Sequence, residues 1–346
     1  SAGYPADDLV VAWEFTVASD DFIHRDMIAA RDAAVTALAS HPIAYTIGSD
    51  AIGSAGDPIR RVVKGTFDAP LFLTENGEAQ ADPVIARGSD GLPAFQGFYQ
   101  APFVAVVPAC AYGSAAPVGM VIYGHGLLGT SDETQDGDQR DTAAALCMVF
   151  VGTDMRGMST PDIGAVALAL NDVSHADAVM EVLEQGIVNH IALHKALETT
   201  FATQLFVGSD GTTSLVDPRD VVYYGLSQGG IFGTSVVAYD DDLTQGVLGV
   251  GAANYSLLLD RSADWSTYGS ILAGAYPNRL DQELLVALMQ MRWDKTEPSG
   301  VVNTALAGAP TSSTPKQLLM QIAIGDDQVS NYASYWWARS AGGSVV

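Results

Sequence analysis

The sequence has few basic residues. Its 346 residues include 16 lysines and arginines but 40 aspartates and glutamates, which gives a formal net charge of −24 at pH 7. Nucleic acids and anionic membranes repel so acidic a surface, and neither is expected as a partner. Only four of the basic residues are lysine. A lysine-poor, acidic surface is typical of secreted or salt-adapted proteins, although a GC-rich genome also favours arginine.

Long apolar runs and cysteines are also scarce. No eighteen consecutive apolar residues occur, so no transmembrane segment is expected. The content of 48% hydrophobic and 16% charged residues is that of a globular protein, and the length suits one elaborated domain. Cys110 and Cys147 flank a predicted strand–helix unit. They either form a disulfide in an oxidising compartment or remain as two buried thiols.

A nucleophile motif lies in the second half of the chain. The sequence G-L-S-Q-G at residues 225–229 follows an apolar run and precedes a helix-compatible stretch. In such a strand–turn–helix unit the serine, Ser227, lies at the apex of a turn so tight that glycines must flank it. The helix N-terminus then directs free N–H groups and a positive dipole end at negative charge beside the serine. The motif therefore predicts a serine nucleophile.

A second motif lies about a hundred residues upstream, where an apolar strand at 118–123 ends in G-H-G-L-L-G. Acyl transfer through a serine builds an oxyanion, and this charge needs two preorganised hydrogen-bond donors. We expect one donor to be the backbone N–H of Gln228, directly after the serine. The other is expected to be the backbone N–H of Leu127, because Gly126 lets the chain approach closely.

With these two motifs in this order, the chain resembles the α/β-hydrolase superfamily and, within it, bacterial lipases and esterases with an H-G-L-L-G oxyanion turn. The resemblance runs from about residue 117 to 340. It implies that the ring of His125 supports the oxyanion loop together with Gly126. It also implies a secreted or cell-envelope bacterial protein, although no signal peptide is recognised within residues 1–346.

The resemblance places the acid of a catalytic triad just after a late strand. Residues 316–325 are predicted to form a buried strand, and Asp326 with Val329 matches the D-x-x-V part of the superfamily pattern G-x-x-D-x-x-V. Gly325 adjoins the acid instead of preceding it by three positions. A shift of one residue would exchange Asp326 for its neighbour Asp327, and we favour Asp326.

No histidine follows this acid, although the superfamily order is Ser, then Asp or Glu, then His. The histidines of the chain are His24, His41, His125, His175, His190 and His194. We therefore expect the catalytic histidine beyond residue 346. His190 and His194 lie four residues apart on a helix predicted at 176–199, a spacing that suits zinc, but Ile191 replaces the glutamate of H-E-x-x-H.

Neither a metal nor a cofactor is predicted. The acidic segment 132–138 loosely resembles an EF-hand loop, but Ala143 stands where a bidentate glutamate belongs. Asp136 or Asp138 is instead expected to cap the next helix. Asp154 and Arg156, after a core strand, are interpreted as structural support.

Strands alternate with helices from about residue 118 onward. This alternation predicts an α/β-hydrolase fold, with a mostly parallel sheet and helices on both faces. Residues 1–116 are expected to form an N-terminal α+β extension packed on the sheet, and 117–253 with 316–346 the core without its last strand. The segment 254–315, rich in Leu, Met and Trp, is predicted to form a helical cap that lines an acyl pocket.

Together the motifs predict a serine hydrolase of the lipase or esterase type that cleaves carboxylic esters through an acyl-enzyme on Ser227. Its substrate is expected to be a small-molecule, lipid or polymeric ester. Asp326 would orient the histidine and stabilise its imidazolium. Two alternatives remain, a serine peptidase of the same fold and a catalytically inactive hydrolase-fold binding protein. The intact serine and oxyanion turns favour an enzyme over the second.

Overall fold

The structure of the protein is a computed structural model that describes residues 16–74 and 82–344. The apolar run at residues 9–17 predicts a strand in the N-terminal extension, but all of it except its last two residues lies outside the described residues. The pattern of residues 22–38 predicts a helix, which extends over Asp20–Ser40. Ser19 caps this helix, because its side-chain oxygen accepts the N–H of Phe22 at 3.1 Å.

The described residues form eight strands and ten α-helices. The strands are β1 (Tyr45–Ile52), β2 (Ile59–Pro70), β3 (Phe98–Pro108), β4 (Val118–Gly124), β5 (Val149–Thr153), β6 (Val216–Leu226), β7 (Gln245–Gly249) and β8 (Gln317–Gln321). The helices are α1 (Asp20–Ser40), α2 (Gly137–Leu146), α3 (Ile163–Asn171), α4 (Asp177–Met180), α5 (Val182–Ala196), α6 (Gln228–Tyr239), α7 (Tyr255–Leu258), α8 (Trp265–Ala275), α9 (Arg279–Trp293) and α10 (Asn331–Ser340).

All eight strands belong to one sheet, in the order β1-β2-β3-β5-β4-β6-β7-β8. Strands β5, β4, β6, β7 and β8 run parallel, whereas β1, β2 and β3 extend the sheet through antiparallel pairs. Because parallel strands end at the same edge, the turns after β4 and β6 lie side by side. Gly124 pairs with Gly225 at this edge, which brings the two sequence motifs together.

Both faces of the sheet are covered. Along β3, Phe103 and Ala105 pack in a large core that also contains residues of α1, α5 and α6. Val104 and Val106 point to the opposite face and pack in a smaller core with Ala143 of α2. The predicted mostly parallel sheet with helices on both faces is therefore confirmed.

Two elements differ from their prediction. The segment 316–325 was predicted as a buried strand, but β8 ends at Gln321 and lies at the sheet edge, where Leu319 is 56% exposed. An apolar run indicates a strand but not its position in the sheet. The helix predicted at 176–199 is divided into α4 and α5, and it continues as a π-helical segment over Leu197–Leu205.

A disulfide joins Cys110 to Cys147. Cys110 lies in the short helical turn after β3, and Cys147 follows the last residue of α2 with a φ of 54°. The bond ties these two connections together across 37 residues of sequence. Of the two states left open by the sequence, the structure has the disulfide.

Residues 254–315 contain α7, α8 and α9. Helix α8 packs against α3, and Trp293 at the end of α9 stacks on Tyr255 with 5.0 Å between ring centroids. Across residues 16–74 and 82–344, no helix is both long enough and apolar enough to cross a membrane.

Candidate active site

Ser227 lies in the turn between β6 and α6, at the carboxyl edge of the sheet. Its backbone has φ 56° and ψ −117°, which residues with a Cβ rarely adopt. The Ser227 N–H donates to the Gly249 carbonyl and the Ile231 N–H donates to the Ser227 carbonyl, both at 2.9 Å. Backbone strain of this kind costs about 1–3 kcal/mol and is concentrated at functional sites. Ser227 therefore lies at the apex of a tight, strained turn that joins a strand directly to a helix.

The glycines beside Ser227 are required because neighbouring backbone leaves no room for a side chain. A Cβ on Gly225 would lie 2.2 Å from the Gly229 carbonyl oxygen. A Cβ on Gly229 would in turn lie 2.1 Å from the Gly124 carbonyl oxygen. The ends of β4 and β6 and the start of α6 therefore meet in direct backbone contact, with the H-G-L-L-G loop beside the serine.

Hydrogen bonds hold this loop on either side of Leu127. The Gly126 N–H donates to Glu133 Oε2 at 2.7 Å, and the Leu128 N–H donates to Gln228 Oε1 at 3.2 Å. Among the described residues the Leu127 N–H has no acceptor. Gln228 is the first residue of α6, so its N–H has no acceptor within the helix. Leu127 and Gln228 both line one cavity with Ser227.

The buried ring of His125 contacts this loop, and the residue is only 1% exposed. Its Nε2 accepts the N–H of Met155 at 2.9 Å. The proton is therefore on Nδ1, which donates to the Gly126 carbonyl at 2.8 Å. Both ring nitrogens connect the loops after β4 and β5, which leaves neither for Ser227.

Two further residues of this loop network carry no recognisable sequence motif. Glu133, which the sequence placed in an acidic segment, packs so closely that a Cβ on Gly129 would lie 1.8 Å from its Oε1. Thr160 donates through Oγ1 to the Leu128 carbonyl at 2.7 Å. Their roles depend on which loops the sheet brings together, and local sequence does not show this.

The remaining residues predicted to have structural roles make contacts that agree only in part with the predictions. Asp136 occupies the N-cap position of α2, but the predicted side-chain cap is not formed. Asp154 accepts the N–H of Ser131 at 2.7 Å, and Arg156 pairs with Asp162 at 3.0 Å. Over the described ranges no group of three or more His, Cys, Asp or Glu side chains is placed to hold a metal ion.

Asp326 lies in the loop after β8. Its Oδ1 accepts the N–H groups of Gln328 at 2.9 Å and of Val329 at 2.8 Å, which orients the carboxylate. Asp326 is half-buried, whereas Asp327 is exposed. Gln328 and Val329 line the cavity that contains Ser227, while neither aspartate is part of its wall.

The remaining histidines are all bonded away from Ser227. His24 contacts Tyr239 Oη, His41 contacts Asp68, His175 contacts Asp82, His190 contacts the Gly186 carbonyl, and His194 contacts Asp240. Burial lowers the pKa of His190 to about 4, so its ring is neutral. The Nδ1 atoms of His190 and His194 thus contact different groups. In the part of the chain that the structure describes, no imidazole is bonded to the Ser227 hydroxyl.

The cavity beside Ser227 has a volume of about 880 Å³, counted with the space at its open mouth. Its wall is mostly apolar. One side comes from residues 254–315 and includes Leu258, Trp265, Tyr268, Met289 and Trp293. Another part of the wall comes from α3 and α4, which were not expected there, and includes Val166, Leu170, Val179 and Met180.

Hydrogen bonds connect the turn between α7 and α8 to the loop that carries Asp326. The Ala263 N–H donates to the Asp327 carbonyl at 2.7 Å, and Gln328 Nε2 donates to Asp264 Oδ1 at 3.1 Å. Both loops border the cavity, through Asp264 and Gln328. They therefore form one connected part of its rim.

No protein-family model matches the sequence, and no curated protein matches it either. Among solved structures, acetyl xylan esterase 1 from Thermoanaerobacterium sp. is similar over 92% of this chain and 84% of its own, with 11% sequence identity and a TM-score of 0.54. An acetyl xylan esterase from Paenibacillus sp. R4 is similar over 92% and 94%, with 15% identity and a TM-score of 0.49.

A glucuronoyl esterase from Teredinibacter turnerae is similar over 90% of this chain and 71% of its own, with 13% identity and a TM-score of 0.42. The likeness to the Thermoanaerobacterium structure, together with the parallel sheet and its two helical layers, shows that the chain has the α/β-hydrolase fold. Identity this low relates folds and does not transfer a substrate.

Proposed function

We propose that the protein is a serine hydrolase that cleaves carboxylic esters through an acyl-enzyme on Ser227. One observation carries the proposal. The strained serine turn borders the same cavity as Leu127 and Gln228, whose backbone N–H groups have no acceptor among the described residues. A nucleophile and two such donors are the parts that acyl transfer requires.

In the proposed reaction, Ser227 Oγ attacks the ester carbonyl and its proton passes to an imidazole. The carbonyl oxygen becomes an oxyanion that accepts hydrogen bonds from the N–H groups of Leu127 and Gln228. The intermediate collapses, the alcohol leaves with the proton from the imidazolium, and an acyl-enzyme remains. Water then repeats the sequence and releases the acid.

We place the imidazole outside residues 1–346, because each histidine of the chain is bonded elsewhere. Asp326 is proposed to orient it. The bonds from Gln328 and Val329 fix the Asp326 carboxylate in the loop after β8. A fixed carboxylate can hold an imidazole in one tautomer and stabilise its charged form.

The apolar wall of the cavity favours a substrate ester with a hydrocarbon acyl group. Such an ester can belong to a small molecule, a lipid or a polymer. Burial of each methylene in such a wall contributes about 0.8 kcal/mol. A peptide would need partners for its backbone N–H and carbonyl groups, and side chains such as Val166, Leu170 and Met289 offer none. The net charge of −24 further disfavours anionic substrates.

The test compares Ser227→Ala with the matched variant Ser235→Ala in the full-length protein. Ser235 is a fully buried serine of α6. Ser227→Ala should lower hydrolysis of p-nitrophenyl esters roughly 10⁴-fold or more and abolish labelling by a fluorophosphonate, whereas Ser235→Ala should do neither. Activity retained by Ser227→Ala would exclude the proposed nucleophile. Faster cleavage of peptide anilides than of esters would indicate a peptidase. A wild type that is neither labelled nor active would indicate a binding protein.

A further inference from the structure

The side chain of Gln228 connects two loops beside the serine. Its Oε1 accepts the Leu128 N–H at 3.2 Å, and its Nε2 donates to the Met158 carbonyl at 2.8 Å. The side chain is only 2% exposed. The two partners decide the orientation of the amide, because an N–H needs the oxygen and a carbonyl needs the NH₂ group. A flipped amide would lose both bonds.

The loop residue that Gln228 holds is in an unfavourable conformation. Leu128 has a φ of 50°, in the left-handed region that residues with a Cβ seldom occupy. Such a residue keeps this conformation only where the surrounding contacts over-determine it. Here the Leu128 N–H is bound by Gln228 and the Leu128 carbonyl by Thr160.

The peptide planes on either side of Leu127 share its Cα atom. The plane after Leu127 carries the Leu128 N–H, and the plane before it carries the Leu127 N–H that is proposed to bind the oxyanion. Gln228 fixes the plane after Leu127. The plane before it also contains the Gly126 carbonyl, which accepts from His125 Nδ1 at 2.8 Å, so rotation about the Leu127 Cα is restricted from both sides. The bond to Met158 anchors this restraint to the loop after β5.

We propose that the side chain of Gln228 is a positioning residue that, together with His125, sets the direction of the Leu127 N–H, so that one residue acts on both oxyanion donors. Its backbone N–H is one donor, and its amide acts through Leu128 on the other. The inference rests on the proposed function of Ser227. It adds that the distance between the two donors depends on this buried side chain as well as on His125.

The first variant is Gln228→Met, which is close in size and keeps the backbone N–H but loses both amide bonds. Removal of one oxyanion donor costs about 10²–10³-fold in kcat, and we expect misplacement of one donor to cost about 10–100-fold. KM should stay within about twofold, since the substrate carbonyl gains its charge only in the transition state.

Gln185→Met is the matched control. Gln185 is fully buried in α5, accepts the Phe72 N–H at 2.8 Å and donates to the Pro70 carbonyl at 2.8 Å. The Gln185→Met variant therefore loses the same two types of bond, and also the bond from Nε2 to Asn189 Oδ1 at 2.9 Å, at a residue that does not line the cavity. The control should be less stable than the wild type and keep its kcat.

The second variant, Gln228→Glu, has a pH signature that a purely structural role does not produce. A protonated glutamic acid can accept the Leu128 N–H and donate its O–H to the Met158 carbonyl. An ionised glutamate repels that carbonyl and adds negative charge beside the oxyanion. The ratio of variant to wild-type kcat should therefore rise as the pH falls, while the ratio for Gln185→Glu should not follow this course.

Wild-type kcat in folded Gln228→Met, or a loss confined to KM, would overturn the inference. A ratio of Gln228→Glu to wild-type kcat that does not change with pH would overturn it as well. This second measurement decides the question if Gln228→Met does not fold. Labelling by a fluorophosphonate separates this failure from that of the proposed function. If the wild type is labelled and active, only the role of the Gln228 side chain is refuted, whereas an unlabelled wild type refutes the proposed function first.

Discussion

Glu184 lies at the centre of a buried charge cluster and is fully buried in α5. Asp26 and Glu181 are its acidic neighbours. Lys295 and Arg87 are the basic ones, each 3.1 Å from Asp26, and Arg87 is also 3.0 Å from Glu181. Among the described residues neither carboxylate oxygen of Glu184 has a hydrogen-bond partner. Arg25 also lies 3.8 Å from Asp26 and Arg292 lies 3.5 Å from Glu181, but within the described ranges no cation pairs with Glu184 itself, so its negative charge would have no direct ion-pair partner.

Burial, reinforced by the charges of Asp26 and Glu181, raises the pKa of Glu184 to about 8 from an ordinary value of 4.5. Between these values the folded protein keeps a proton that the unfolded chain has lost. Stability should therefore fall as the pH rises from about 4.5 to 8, and the effect of this group should be constant above that. At about 1.4 kcal/mol for each pH unit, the total is at most about 5 kcal/mol.

The perturbation is Glu184→Gln, whose amide has nearly the shape of the protonated acid. At pH 5 the variant and the wild type should have nearly equal free energies of unfolding. At pH 9 the variant should be more stable by roughly 3–5 kcal/mol, since it has no charge to bury. Urea denaturation at several pH values between 5 and 9 measures the difference.

The control for this series is Glu283→Gln. The Glu283 side chain is 56% exposed and lies 3.6 Å from Arg279, so its removal should change stability by less than about 1 kcal/mol at any pH. If the free energies of unfolding of Glu184→Gln and the wild type differ by the same amount at pH 5 and pH 9, the reasoning is refuted. It would mean that Glu184 ionises in the folded protein as it does in the unfolded chain.

Two further predictions concern the disulfide and the acid. Replacement of both Cys110 and Cys147 by serine should lower the free energy of unfolding by roughly 3–4 kcal/mol, from the entropy of closing a loop across 37 residues. A reductant should lower the thermal midpoint of the wild type but not that of the double variant. Equal thermal midpoints for the wild type and the double variant would contradict the prediction. Asp326→Asn should lower kcat for p-nitrophenyl esters by about 10⁴-fold, because an amide favours the wrong imidazole tautomer, whereas Asp327→Asn should stay near wild type. The opposite result would assign the acid to Asp327.

The fold could be predicted from sequence because its signals are local. The alternation of apolar runs with helical stretches from about residue 118 requires a parallel sheet covered on both faces, whatever the order of its strands. The glycines around Ser227 are a local signal of the same kind. They allow the tight turn in which a φ of 56° is then found.

The order of the strands was decided by tertiary structure. Strands β4 and β6 are neighbours although β5 lies between them in sequence, and Gly124 meets Gly225 only through that pairing. The exposed edge position of β8 follows from the same order, and no apolar pattern could have shown it. Pattern predicts which residues form a strand, and packing decides which strands are adjacent.

The sequence by itself determined the turn chemistry at residues 125–129 and 225–229, because glycine spacing and backbone conformation act over a few residues. Only the tertiary structure decided that Glu133 and Thr160 hold the loop at residues 125–129, that α3 and α4 contribute to the cavity wall, and that Glu184 has no hydrogen-bond partner among the described residues. These properties depend on burial and on contacts between distant segments. The free energy of a side chain in such a place is set by its neighbours, and the local sequence does not specify them.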